Sequence, residues 1–147
     1  MKKTLMICAM LLLFVACSKN SNNSLENTSW GYSWDMGAHR YSLNLNLDSP
    51  TRGNAELREN IENEGVQPVE ILVIYDIKYT YDEKENSGSV TFAKESSYAY
   101  GMTDPSYFPS YFKDTCTSSF YTYAGNNKMF LYSTPCQVLE CIDLDRK

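Results

Sequence analysis

The stretch RYSLNLNLD, residues 40–48, alternates apolar and polar side chains without a break. Its apolar positions are Tyr41, Leu43, Leu45 and Leu47. Because successive side chains of a β-strand point to opposite faces, this period of two predicts a strand with one buried and one solvated face. Other strands are needed to cover the buried face.

Similar patterns recur along the chain between short polar turns. We predict further strands at SWGYSWDM (29–36), VEILVIYDIKYTYD (69–82), SVTFAKE (89–95), SSFYTY (118–123), KMFLY (128–132) and QVLECIDL (137–144). The segment NAELRENIE (54–62) fits either a strand or a short helix. Roughly seven to nine short strands without a long amphipathic helix predict an all-β fold, either an antiparallel barrel or a β-sandwich.

The N-terminus has the pattern of an export signal. Lys2 and Lys3 precede an apolar run, residues 5–16, that is shorter than the ~20 residues needed to cross a bilayer. A basic start followed by a short apolar run is typical of a secretory signal peptide, here residues 1–16. Ala16 followed by Cys17 resembles the lipobox of bacterial lipoproteins, which implies cleavage before Cys17 and attachment of a diacylglyceryl group to it.

This resemblance implies a lipid-anchored protein of the cell envelope. Two or three acyl chains give stable membrane attachment. The residue after Cys17 is Ser18 and not Asp, which in lipoprotein families is compatible with passage to the outer membrane. The polar residues up to 27 predict a flexible tether, 17–27, followed by a single domain, 28–147. The alternative is an ordinary signal peptide in which Cys17 is incidental.

The charge balance limits the possible partners. The chain has 18 acidic and 13 basic residues and a formal net charge of −5. Nucleic-acid affinity depends largely on basic side chains that neutralise phosphates, so we predict no nucleic-acid partner. Without a CxxC motif, an EF-hand or a glycine-rich phosphate loop, we also predict no metal and no cofactor.

Three cysteines follow Cys17, namely Cys116, Cys136 and Cys141. An exported chain meets an oxidising compartment, in which disulfides form readily. The turn AGNN (124–127) predicts a hairpin with Tyr123 opposite Lys128. Counting outward then brings Cys116 within one residue of Cys136, which predicts a bridge between them that leaves Cys141 free and buried. The alternatives are a Cys136–Cys141 bridge and three reduced thiols.

Catalytic residues are not marked by any motif. His39, the single histidine, is expected in a solvated turn between the first two strands, and no GxSxG motif marks a serine nucleophile. The acidic groups at 82–85 and 143–145 are expected on the surface rather than facing each other across a cleft. We therefore predict that the protein is not an enzyme, with a hydrolase as a third hypothesis.

The segment SSYAYGMTDPSYFPSYFKDT, residues 96–115, is unusually rich in aromatic residues. Its two prolines predict a long connection between strands. One interpretation is that Phe108 and Phe112 tuck inward and cap one barrel end. The other is that the loop forms a binding surface, because tyrosine combines apolar area with a hydroxyl group. The candidate ligand-binding residues are Tyr98, Tyr100, Tyr107, Phe108, Tyr111 and Phe112.

Several of these segments together resemble a known family. LENTSW (25–30), RYSLNLNLD and the two hairpins are similar to small lipocalin-like, or calycin-like, lipoproteins of Gram-negative bacteria. The resemblance implies an up-and-down barrel of about eight strands in which Trp30 plugs the closed end. Asn27 stands where the family has glycine.

Two functional hypotheses follow. The first is a non-enzymatic, lipid-anchored protein that binds a small apolar or sugar-like ligand, which a cavity lined by Tyr75 or Tyr79 would favour. The alternative is a protein-interaction or inhibitor module that docks through the 98–112 loop, by analogy with barrel lipoproteins that inhibit lysozymes. A filled barrel with an exposed loop would favour this alternative.

Overall fold

The fold is an eight-stranded antiparallel β-barrel. The computed structural model describes residues 25–102 and 108–147. The strands are β1 (Thr28–Met36), β2 (His39–Leu47), β3 (Arg52–Ile61), β4 (Val69–Asp82), β5 (Ser87–Tyr100), β6 (Thr115–Tyr123), β7 (Lys128–Leu131) and β8 (Ile142–Arg146). The predicted signal peptide, Cys17, residues 18–24 of the tether and Tyr107 lie outside the described residues.

Every strand pairs with its neighbour in sequence, and β8 pairs with β1 to close the barrel. This confirms the prediction of an up-and-down barrel of about eight strands and rules out the sandwich. Residues 54–62 contribute a strand rather than a helix, since β3 pairs with β2 on one side and β4 on the other. Among the residues described, no helix has the length and apolarity that crossing a membrane requires.

The alternating strands build the core. The odd-numbered positions of β2 from Tyr41 to Leu47 are buried, as are those of β4 from Ile71 to Tyr79. Their side chains fill the barrel together with Trp30 and Phe92. The period of two in the sequence therefore identifies the inward face correctly on both strands.

Turn residues adopt the backbone conformations that their types favour. Tyr123 lies opposite Lys128, as predicted, and Ala124, Gly125 and Asn126 of the connecting turn all have positive φ. Asn27 also has a positive φ, 57°. Asparagine tolerates the left-handed region better than most residues, so it suits this position before β1.

The connections of the barrel divide into two ends. Those at 48–51, 83–86 and 124–127 lie at one end, the base, where the chain also enters β1. Those at 37–38, 62–68, 101–114 and 132–141 lie at the other end, the mouth. Leu25 is fully buried, so the packed domain includes it although the sequence assigns it to the tether.

The largest differences from the predicted strand boundaries are at the end of β5 and the start of β8. β5 continues to Tyr100 rather than ending near residue 95, because it pairs with the whole length of β4 past an irregularity at Ile74/Tyr75. β8 begins at Ile142 and not at 137. The predicted aromatic loop is therefore shorter, and its first tyrosines belong to a strand.

Candidate functional site

A polar and aromatic cluster lies at the mouth of the barrel. We call it the mouth cluster and define it as Tyr32 and Trp34 of β1, His39 and Tyr41 of β2, Glu59 of β3 and Tyr111 of the β5–β6 connection. Three adjacent strands and one loop thus bring together residues that are up to 79 positions apart in sequence.

Glu59 is the centre of this cluster. The alternation of β3 points it inward with Ala55 and Leu57, and its side chain is 0% exposed. Its Oε1 lies 2.6 Å from Nδ1 of His39, and its Oε2 accepts a short hydrogen bond from the hydroxyl of Tyr111. Burying a carboxyl group is costly unless such partners are present, so these contacts hold the mouth together.

Two tyrosine hydroxyls are held in their neutral form beside Glu59. Burial raises the pKa of Tyr41 well above its ordinary value, and the hydrogen bond to Glu59 and its charge raise it further. Burial, followed by the same two effects of Glu59, raises the pKa of Tyr111. Both phenols therefore remain hydrogen-bond donors across the physiological pH range.

The aromatic rings of the cluster form a continuous stack. The centroids of Tyr32 and Trp34 are 5.7 Å apart, and those of Trp34 and Tyr41 are 4.9 Å apart with planes at 12°. The ring of His39 also stacks with that of Tyr41, with centroids 6.2 Å apart. Tyr32 and Trp34 are only half-buried, so part of the stack faces solvent.

The indole nitrogen of Trp34 is a spare donor at this site. Trp34 Nε1 is buried and has no hydrogen-bond partner within residues 25–102 and 108–147. Trp30, by contrast, is fully buried farther along β1 and donates from Nε1 to Thr28 Oγ1 at 2.8 Å. A buried donor without an acceptor is rare in proteins, and it marks Trp34 as a position where a ligand atom would be favoured.

The structure separates the residues predicted for ligand binding. Phe108 and Phe112 pack against each other at 5.7 Å with Phe112 buried, and Tyr111 joins the mouth cluster. The inward-tucking interpretation is thus correct for the two phenylalanines. Tyr98 and Tyr100 lie on the outer face of β5, not in a loop, and both are exposed.

His39 is not the solvated turn residue that the sequence suggested. It begins β2 and is bonded to Glu59, although its side chain remains 41% exposed. The sequence did not single out Glu59, because residues 54–62 fitted a helix as well as a strand. If the segment is treated as a strand, Glu59 falls on the same face as Ala55 and Leu57. A carboxyl group on that apolar face is the sequence signal that could have identified it.

The predicted bridge between Cys116 and Cys136 is not formed. Within the described residues both are free, buried thiols, and Cys116 Sγ donates to the backbone carbonyl of Thr134 at 3.3 Å. Residues 133–136 leave the β6–β7 ladder after Leu131, so counting along a regular hairpin does not give the geometry of the two thiols. Cys141 is free but exposed, where it was predicted to be buried.

Buried side chains of the strands pack together inside the barrel. Tyr75 and Tyr79, the predicted cavity-lining residues, are buried and donate to the backbone carbonyls of Lys113 and Ser49 at 3.0 and 2.6 Å. Their hydroxyls are satisfied within the protein. The half-exposed groups available to a ligand are those of the mouth rather than of the interior.

The fold places this chain in the class of eight-stranded up-and-down β-barrel proteins with an aromatic mouth. Comparisons with protein-family models, with curated proteins and with solved structures find no match. The functional argument therefore depends on the chemistry of the mouth cluster.

Proposed function

We propose that this protein is a non-enzymatic, lipid-anchored binding protein of the cell envelope whose mouth cluster binds a small sugar-like ligand. The observation that carries the proposal is the half-exposed stack of Tyr32, Trp34 and Tyr41 beside the fully buried Glu59. Ligand sites commonly combine apolar and aromatic walls with a few fixed polar groups.

The cluster suits a ligand with both apolar faces and hydroxyl groups. The rings of Tyr32 and Trp34 offer flat apolar surface, and His39 and Tyr111 are polar groups beside it. Leaving the Nε1 donor of Trp34 buried and unpaired costs about 1–3 kcal/mol. A ligand hydroxyl oxygen that accepts from this donor would remove that cost.

The described end of the β5–β6 connection, residues 108–112, packs at the site. Tyr111 bonds to Glu59, and the neighbouring Phe112 is buried and pairs with Cys136 through a β-bridge. A ligand hydroxyl can replace the hydroxyl of Tyr111 on Glu59, which would shift this segment outward. Binding is therefore expected to involve residues 108–112, although through Tyr111 and not through Tyr98 or Tyr100.

The predicted lipid anchor would leave the mouth accessible. The chain enters the barrel at the base, and the buried Leu25 lies eight positions after Cys17. An extended chain of that length spans at most roughly 28 Å. A lipid on Cys17 would thus keep the base near the membrane and direct the mouth away from it.

A thermal-shift titration tests the proposal. We would use the mature chain with Cys17→Ser, against mono- and oligosaccharides, peptidoglycan fragments and fatty acids. A ligand at 100 times its Kd stabilises the folded state by ~2.7 kcal/mol, which corresponds to several degrees in Tm. The shift should disappear in Trp34→Ala and persist in Tyr100→Ala, a matched aromatic change on the outside of β5. A shift that survives Trp34→Ala would place the ligand elsewhere.

The alternative function is a protein-interaction or inhibitor module. It is favoured by exposed apolar side chains that surround the mouth, namely Met36, Val66, Tyr98, Tyr100 and Val138. To test this, a photo-crosslinking residue is placed at position 36 or 100 near the mouth, or at position 84 at the base. The adducts formed in the envelope fraction are then compared. A defined protein adduct formed from the mouth positions alone would support the alternative, and equal labelling from all three would reject it.

A further inference from the structure

A second aromatic surface lies on the outside of the barrel, away from the mouth cluster. It consists of Tyr121 and Tyr123 of β6, Phe130 of β7 and Tyr132 just after it, and we call it the outer aromatic face. Tyr121 lies directly opposite Phe130 in the ladder. The three tyrosines are exposed, Tyr132 by 55%.

The four rings form one connected surface. Tyr121 contacts the other three, with centroid distances of 5.7 Å to Tyr123, 5.4 Å to Phe130 and 5.9 Å to Tyr132. Phe130 and Tyr132 are 5.0 Å apart. Cross-strand pairing accounts for the contact of Tyr121 with Phe130, but it does not require tyrosines at the neighbouring solvent-facing positions. A connected and exposed aromatic patch is a mark of a recognition surface.

The borders of this surface are rich in hydroxyl groups. On the β5 side, a row of serine and threonine residues continues the outer face, and Thr91 and Thr117 bond to each other at 3.1 Å. On the β8 side, the hydroxyl of Tyr123 donates to Asp143 at 2.8 Å. The rings are thus framed by groups that donate and accept hydrogen bonds.

Free basic groups are scarce on this face. β6, Thr115–Tyr123, carries no charged side chain, and Lys128 of β7 is paired with Asp145. This pattern does not suit nucleic acid or anionic lipid, both of which require unpaired basic groups. It complements an uncharged partner that has flat apolar faces and hydroxyl edges.

We propose that the outer aromatic face binds a neutral polysaccharide strand. Successive sugar rings would stack on the connected tyrosines, while their hydroxyls bond to the serine and threonine row and to Asp143. This site shares no residue with the mouth cluster, so the proposal stands or fails independently of small-ligand binding at the mouth.

Co-sedimentation with insoluble neutral polysaccharides tests this proposal. The mature chain with Cys17→Ser would be mixed with cellulose, chitin or starch granules, and the bound fraction measured against protein concentration. Because Tyr121→Ala with Tyr132→Ala removes two of the four rings, the double variant should bind about tenfold more weakly, which corresponds to ~1.4 kcal/mol. Tyr98→Ala with Tyr100→Ala, a matched change of two exposed tyrosines on β5, should leave binding unchanged.

Two further measurements keep the result interpretable. The single variant Tyr132→Ala changes the most exposed ring of the face and should retain the Tm of the parent while still losing affinity. Neutral phosphatidylcholine vesicles provide a parallel binding partner. The proposal is overturned if none of the three polysaccharides retains the parent chain, or if the double variant at 121 and 132 binds them as well as the parent does. It is also overturned if the double variant loses binding to the vesicles but still binds the polysaccharides.

Discussion

Glu59 shows how one residue can organise the end of a barrel. Its position on β3 is an inward one, where neighbouring side chains are apolar, yet it bears a carboxyl group with partners on two other elements. Those partners, His39 and Tyr111, come from the start of β2 and from the β5–β6 connection. Glu59 therefore joins the loop to the sheet.

Replacing Glu59 by alanine should destabilise the fold. The change leaves the donors of His39 and Tyr111 without their acceptor, and hydrogen bonds to charged groups contribute about 1.5–3 kcal/mol each. We expect the free energy of unfolding to fall by about 3 kcal/mol in urea titrations. Glu56→Ala is the matched control, because Glu56 lies on the outer face of the same strand in an exposed ion pair with Arg58 and should cost under about 1 kcal/mol. Equal losses in the two variants would contradict the role assigned to Glu59.

Alkaline pH should weaken the fold through buried acids. Burial and the nearby charges of Glu26 and Asp48 raise the pKa of Tyr79 to about 12, and burial raises the pKa of Cys136 to about 11. The folded state keeps protons that the unfolded state releases, so the contribution of these two groups to stability is constant below about pH 8 and falls as pH rises from there to about 12. Urea unfolding across this range measures the fall, which Tyr79→Phe should reduce. A flat profile would show that the phenol and thiol are not buried as described.

The strands show which features the sequence predicts well. β2 and β4 follow from the alternation of Leu, Ile, Val and Tyr with polar residues, because burial on one face imposes that period. The end of β5 was missed because its inward positions there, Ser97 and Ala99, are small, while the larger Tyr98 and Tyr100 are exposed. Glu59 was missed for a related reason: one polar residue on an inward face looks like a break in the strand pattern.

The seam between β1 and β8 should be the least protected part of the barrel. Their ladder joins Trp30 with Arg146 and Gly31 with Asp145, and Lys147 N–H beyond β8 donates to the carbonyl of Ser29. In contrast, β3 and β4 pair along ten residues. Hydrogen exchange should therefore be faster in β8 and the mouth half of β1 than in β3 and β4. Uniform protection around the barrel would contradict a weak seam.

For the molecule as a whole, the sequence predicts the architecture better than the sites. Short strands in succession with polar turns favour neighbour-to-neighbour pairing, and the barrel closes as expected. Long-range placements were not accessible in the same way, because they depend on how a loop folds back. Two examples are of this kind. Tyr111 bonds to Glu59, which lies 52 residues away, and Cys116 and Cys136 are free thiols rather than a disulfide.

The bonding of the two interior tyrosines also bears on where binding is expected. A barrel that holds a ligand inside needs interior groups free to contact it, and here Tyr75 and Tyr79 are buried and bonded to the protein's own backbone. Our two proposals therefore concern the mouth cluster and the outer aromatic face. The two sites could be occupied together, since they share no residue.

The most direct test of the mouth site uses its own tryptophan. The chain has two tryptophans, so Trp30→Phe leaves Trp34 as a single fluorescent reporter. When a glycan that gives a thermal shift is added to this variant, we expect a saturable change in emission as Trp34 Nε1 gains an acceptor and its ring is covered. Emission that stays constant while the same glycan still raises Tm would show that the ligand binds away from the mouth, and would contradict the proposed function.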